Sequence, residues 1–171
     1  AMAHRPELLI LDEPTSGLDT MVRREFLESM VDIAAEGRTV LLSSHQIGEV
    51  ERVADYVAII HAGRVLLVDR LEDLKRTTRQ VTITVEDNRR EVQPLPGRPI
   101  HTRHRGRQFE IILRDVDDTA LAQLQFAPGI VAVESRTPSL EEIFVAHMHD
   151  ESPITKTPPT LAPSATTDLP E

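Results

Sequence analysis

Apolar positions along the chain change period several times, and each change predicts an element. Leu8-Leu9-Ile10-Leu11 is an unbroken apolar run, the mark of a strand buried on both faces, and Pro14 and Gly17 end it. Val22, Phe26, Leu27, Met30, Val31 and Ala34 then recur at helical spacing, with Asp19 or Thr20 as cap and Gly37 to close the helix. Thr39 to Ser44 reads as a second buried strand, and Ile47, Val50, Val53 and Ala54 as a short helix. Tyr56–His61 and Arg64–Asp69 read as strands joined by a hairpin turn at Ala62-Gly63, followed by a short helix over Leu71–Arg76. A β-α-β-α opening of this kind implies a parallel sheet with covering helices.

Beyond residue 78 the pattern differs. Val81, Ile83 and Val85 alternate with Thr82, Thr84 and Glu86, and Phe109, Ile111 and Leu113 repeat the alternation, so both stretches predict half-buried strands. Thr119–Gln125 predicts a helix, Ile130–Arg136 a strand and Ser139–Met148 a helix. Ser139 and Glu142 make an S-x-x-E capping box, with Leu140, Ile143 and Phe144 as the helix's apolar face. The order β-β-α-β-α suggests a small α+β domain of ferredoxin-like type. The Pro- and Thr-rich stretch that follows has no aromatic residue and no apolar period, which predicts a disordered tail. The expected organisation is therefore an α/β unit over residues 1–78, an accessory α+β domain over 79–147 and a tail over 148–171.

Charge and composition narrow the functions. The 171 residues carry a formal net charge of −9, which argues against sequence-independent binding to nucleic acid, a task that needs a basic footprint. The basic run His101, Arg103, His104, Arg105 and Arg107 reads as a solvated hairpin loop in a nearly neutral domain. There is no cysteine, so disulfides, zinc–thiolate sites and cysteine nucleophiles are excluded. No apolar run approaches the roughly 18 residues of a spanning helix, and the start, Ala1 to Pro6, lacks the pattern of a signal peptide. His147 and His149 lie two apart and so do not share a helix face, which disfavours a metal site there.

The candidate chemistry sits at strand ends. Leu8–Leu11 runs directly into Asp12-Glu13, and in open α/β sheets the ligand crevice lies at the carboxyl ends of strands. Successive strand residues point to opposite sides, so one acid can hold a hard cation while the other faces an attacking water. Val40-Leu41-Leu42 leads through Ser43-Ser44 to His45, which can bond a phosphate oxygen or orient that water if the two strands are neighbours. Ser16-Gly17-Leu18-Asp19 lies between them, with Asp19 also a plain helix N-cap. Taken singly, each of these features also fits an ordinary strand end or cap.

Together, Leu-Leu-Ile-Leu-Asp-Glu-Pro, then Ser-Gly-Leu-Asp, then Ser-Ser-His closely resemble the motifs of the ATP-binding cassette (ABC) ATPases, in order and spacing. The resemblance implies that Leu8–Glu13 is the Walker B strand, with Asp12 assisting Mg²⁺ and Glu13 acting as catalytic base or polarising the water. It implies that Ser16, Gly17, Leu18 and Asp19 form the D-loop at the interface with a second ATPase subunit. It also makes His45 the switch histidine that contacts the γ-phosphate of ATP. Thr20 stands where the family commonly has Pro. Glu49-Val50-Glu51, Ala54-Asp55-Tyr56 and His61-Ala62-Gly63-Arg64 resemble transporter ATPases, whereas translation-factor relatives would carry Asn-His in place of Ser16-Gly17. Ser139–Phe144 resembles the C-terminal extension of ATPases serving ABC-2 type exporters.

A phosphate-cradling G-x-x-x-x-G-K-[ST] loop is missing: the only lysines are Lys75 and Lys156, neither preceded by Gly, and no Gly-Gly occurs to form the family's signature motif. The expectation is a partial P-loop NTPase sheet, the C-terminal part of an ABC ATPase, with Ala1–His4 continuing the helix after the signature and an exposed sheet edge prone to aggregation. Alone, these residues are expected to bind ATP weakly and not to hydrolyse it. In the complete protein the resemblance implies a cytoplasmic subunit, peripheral on the inner face of the membrane, coupling ATP hydrolysis to export through a separate integral-membrane permease. The alternatives are a non-transport ABC ATPase and a non-catalytic remnant acting as a binding module.

Overall fold

The computed structural model of the chain describes residues 6–87, 92 and 94–149. Strand β1 (Leu8–Asp12) pairs in parallel with β2 (Thr39–Ser43), and helix α1 (Thr20–Ala35) connects them. Leu9, Met30 and Ile33 form the buried core between α1 and this pair, joined by Leu11, Phe26 and Val40. The opposite face is open. Leu8 is 52% exposed, Ile10 69% and Leu41 59%, so the run read as buried on both faces is covered on one only among the described residues.

Helix α2 (Ile47–Val53) leads to an antiparallel hairpin of β3 (Tyr56–His61) and β4 (Arg64–Arg70). Its turn is at Ala62-Gly63, as the sequence predicts, with both residues at positive φ (46° and 74°), the backbone a tight hairpin turn demands. Helix α3 (Leu71–Thr77) follows, and a second core gathers Val57, Leu71 and Leu74 with Leu140 and Ile143 from the last helix.

The remaining strands, β5 (Thr78–Val85), β6 (Arg98–Arg105), β7 (Gln108–Arg114) and β8 (Ile130–Arg136), form one sheet in the order β6-β7-β5-β8, with every neighbour antiparallel. Helix α4 (Asp118–Leu124) joins β7 to β8 and α5 (Leu140–His149) ends the described chain. One sheet face buries Val81, Ile83, Val85, Phe109, Ile111 and Leu113 together with Leu124. On the other, Ile100 and Ile112 meet Ala146 of α5. The fold is thus mixed α/β.

Two sequence expectations are corrected. The basic run is not a loop: His101 to Arg105 lie in β6, an edge strand whose hairpin with β7 turns at Gly106 (φ 59°). His104 stacks on Phe109 with ring centroids 4.2 Å apart. The predicted helix ending at Met148 runs one residue further, so His149 belongs to α5 rather than to the tail; residues 150–171 of the expected tail and the expected helical continuation at Ala1–His4 lie outside the described residues. The capping box is formed: Glu142 N–H donates to Ser139 Oγ at 3.2 Å and Ser139 N–H to Glu142 Oε2 at 2.9 Å. His147 is buried on α5, with Nδ1 2.8 Å from the Ile143 carbonyl oxygen. His149 lies on the surface, with its ring 5.4 Å from that of His101. Among the described residues no group of acidic or histidine side chains could hold a metal ion on its own, and no helix is long and apolar enough to cross a membrane.

Candidate active site

The parallel register places Asp12 opposite Ser43, so the two strands end together. The Ser43 hydroxyl donates to the Asp12 carboxylate. The Glu13 N–H lies 3.1 Å from both the carbonyl oxygen and the hydroxyl oxygen of Ser43. Glu13 itself has left the strand: its φ is 46°, a left-handed conformation that costs about 1–3 kcal/mol in a non-glycine residue. Its divergence from Asp12 therefore comes from a sharp turn at the strand end rather than from the strand's pleat. That turn brings Glu13 Oε2 within 2.7 Å of His45 Nδ1. Both side chains remain open to solvent, His45 at 68% exposure and Glu13 at 37%.

The chain then folds back twice. Ser16 N–H donates to the Glu13 carbonyl at 3.1 Å and Leu18 N–H to that of Thr15 at 3.2 Å, with Gly17 at φ 78° supplying the left-handed step. Asp19 rather than Thr20 caps α1, its Oδ1 accepting from Met21 N–H at 2.9 Å and Val22 N–H at 3.1 Å. Of the residues singled out in the sequence, Asp12, Glu13 and His45 thus share one exposed rim with Ser43. Ser16 to Asp19 form the adjoining turn, whose acid is engaged by its own helix.

Sequence reasoning missed a group directly beneath. Thr15 is 1% exposed and its hydroxyl donates to Glu49 Oε2 at 2.8 Å. Glu49, buried on α2, has Oε1 3.1 Å from Arg23 Nε. The same guanidinium donates from Nη1 to Gln46 Oε1 at 2.6 Å and from Nη2 to the Leu18 carbonyl at 3.0 Å. Thr15 and Glu49 are 34 positions apart, so no local spacing signals the contact.

Chemically, a carboxylate bonded to a hydroxyl and a carboxylate paired with imidazole offer hard oxygen donors and a proton-accepting group on one rim. Asp12 and Ser43 suit Mg²⁺, which takes one or two carboxylates and completes its shell with water and phosphate oxygens.

Comparison with known proteins shows what the chain is similar to. Residues 70–148 match the family described as ATP-binding protein DrrA1-3-like, C-terminal domain. Over 148 residues the chain is 30% identical to an ABC transporter ATP-binding protein of Alkalihalophilus pseudofirmus, covering 85% of this chain and 55% of that protein. It is 31% identical over 147 residues to a fluoroquinolones export ATP-binding protein of Mycobacterium tuberculosis, covering 85% of this chain and 44% of the relative. A lantibiotic transport ATP-binding protein of Streptococcus pyogenes is 42% identical over 67 residues, covering 39% of this chain and 29% of the relative. The chain spans about half the length of the first two of these relatives. The DrrA1-3-like C-terminal domain and the likeness to these relatives over 85% of the chain identify it as a member of the ABC transporter ATP-binding protein family.

Proposed function

We propose that, within the complete protein, this chain supplies the hydrolytic edge of an ATP-binding and ATP-hydrolysing subunit that drives export through a separate membrane permease. The observation that carries the reading is the Glu13–His45 contact beside Asp12 and Ser43 at the shared ends of two parallel strands. Two relatives named for fluoroquinolones export and lantibiotic transport support it.

The residues divide the work. Asp12, oriented by Ser43, would hold Mg²⁺, largely through its water shell. Mg²⁺ bound with the triphosphate neutralises charge on the transferring phosphoryl group. Glu13 accepts a proton from the attacking water or polarises it, a role worth about 10²–10⁴ in rate. With Nδ1 of His45 engaged by Glu13, its Nε2 is the nitrogen left for a γ-phosphate oxygen. Ser16 to Asp19 would face a second ATPase subunit, and the pair would act on the permease from the cytoplasmic face of the membrane. No nucleic-acid partner is proposed.

The β1–β2 pair is part of a larger P-loop NTPase sheet over residues 1–78, and its open Leu8, Ile10 and Leu41 face is where the rest of that domain packs. The β6-β7-β5-β8 order supports a ferredoxin-like reading of the accessory domain over 79–147. Residues 1–171 hold no phosphate-cradling loop, so these residues alone bind ATP weakly and do not turn it over. Assaying Mg²⁺-dependent phosphate release from the purified chain and from the complete protein side by side tests this. Turnover is expected from the complete protein only, and steady-state turnover by the chain alone would contradict the reading.

A further inference from the structure

The guanidinium of Arg23 touches three segments around the site. Nη2 donates to the carbonyl of Leu18, the residue before Asp19, and Nη1 to the side chain of Gln46, the residue after His45; Nε lies 3.1 Å from the buried carboxylate of Glu49, an ion-pair contact without hydrogen-bond geometry. Glu49 in turn holds the Thr15 hydroxyl, between Glu13 and Ser16. The pair therefore holds Thr15, just before the Ser16–Asp19 turn, and Leu18 within it, and links both to the turn that presents His45. A planar fork with donors in fixed directions can do this where an ammonium cannot. Arg23 is 28% exposed and Glu49 11%, so their attraction is screened far less than that of the neighbouring surface pair Arg24–Glu28, at 72% and 62%.

We propose that Arg23 and Glu49 are positioning residues that make the Ser16–Asp19 turn and the His45 turn move as one body. A displacement of the turn by whatever docks on it is then carried to the His45–Glu13 contact. Neither residue touches the reacting atoms; they act on where His45 and Asp19 stand. The proposal rests on the ATPase reading above for its consequence on rate, and on the geometry alone for its mechanical part.

The test uses the complete protein. Removing one partner alone would strand a buried charge and could unfold the site, so the informative variant is the double substitution Arg23→Met with Glu49→Leu, compared with Arg23→Lys and with Arg24→Ala as a surface control. Hydrogen exchange should become faster in the double variant in both peptides, residues 13–18 and 44–50, while β1 and β2 stay protected. ATP turnover should fall about tenfold at unchanged KM, the pattern of a lost transition-state alignment. Arg23→Lys should lie between, and Arg24→Ala should match the parent. Unchanged exchange at either turn overturns the proposal. So does looser exchange with turnover within about twofold of the parent. If the parent itself shows no turnover, or Glu13→Gln leaves it intact, the ATPase reading fails, and the exchange arm still decides whether the two turns are coupled.

Discussion

The carboxylate of Glu51 on α2 accepts a hydrogen bond from the backbone N–H of Leu140 at 3.2 Å, across 89 positions of sequence. Its other oxygen meets Lys75 Nζ at 2.6 Å. Helix α2 therefore satisfies one of the free N–H groups at the start of α5, where an acid is also favoured by the helix dipole. The same helix carries Glu49 towards the candidate active site. One short helix thus joins the turn after His45 to the last helix of the C-terminal sheet.

That junction rests on apolar packing. Leu74 and Ile143 are fully buried together with Val57, Leu71 and Leu140, with Ile47 and Val50 of α2 against them. Ile143→Ala should lower stability by about 2–5 kcal/mol, through lost burial plus the cavity left behind. Denaturant melts of the parent and the variant measure this. A loss under about 1 kcal/mol would mean that α5 is not held by this core.

The start of α5 should also show in acid. The Arg136 guanidinium beside Glu142, with the Ser139 N–H second to it, holds the Glu142 carboxyl at about 2 against an ordinary 4.5. The folded value lies below the unfolded one, so the stabilisation is complete above about pH 4.5 and fades as pH falls towards 2. Glu142→Gln should melt lower than the parent at neutral pH, and the gap should close across that window. A gap that is the same at pH 7 and at low pH would contradict the assignment.

Much of this was legible in the sequence where one residue type answers a local demand. The Ser139–Glu142 box, the Ala62-Gly63 turn and the Asp19 cap are each fixed by neighbours within four positions. Strand β6 was hidden because it is an edge strand dressed in Arg98, Arg103 and Arg105, with Ile100 its one buried hydrophobic residue. Charge on an edge is how a sheet avoids pairing with another chain, and it erases the alternation that reveals a strand. The apolar runs of β1 and β2 implied two covered faces, but cover is a property of what packs on a strand, not of the strand. At the candidate site, Asp12, Glu13 and His45 could be picked out because motif order brings adjacent parallel strand ends together. The Arg23–Glu49 group could not, because its members meet only when α1 and α2 pack.

The central claim is that Glu13 handles the attacking water, and Glu13→Gln in the complete protein tests it most directly. The substitution keeps the side chain's size and removes its basicity. Hydrolysis should fall by about 10²–10⁴, with ATP binding, followed by nucleotide titration of the same preparation, unchanged. Turnover within a few-fold of the parent would contradict the assignment and with it the account of this rim as the hydrolytic site.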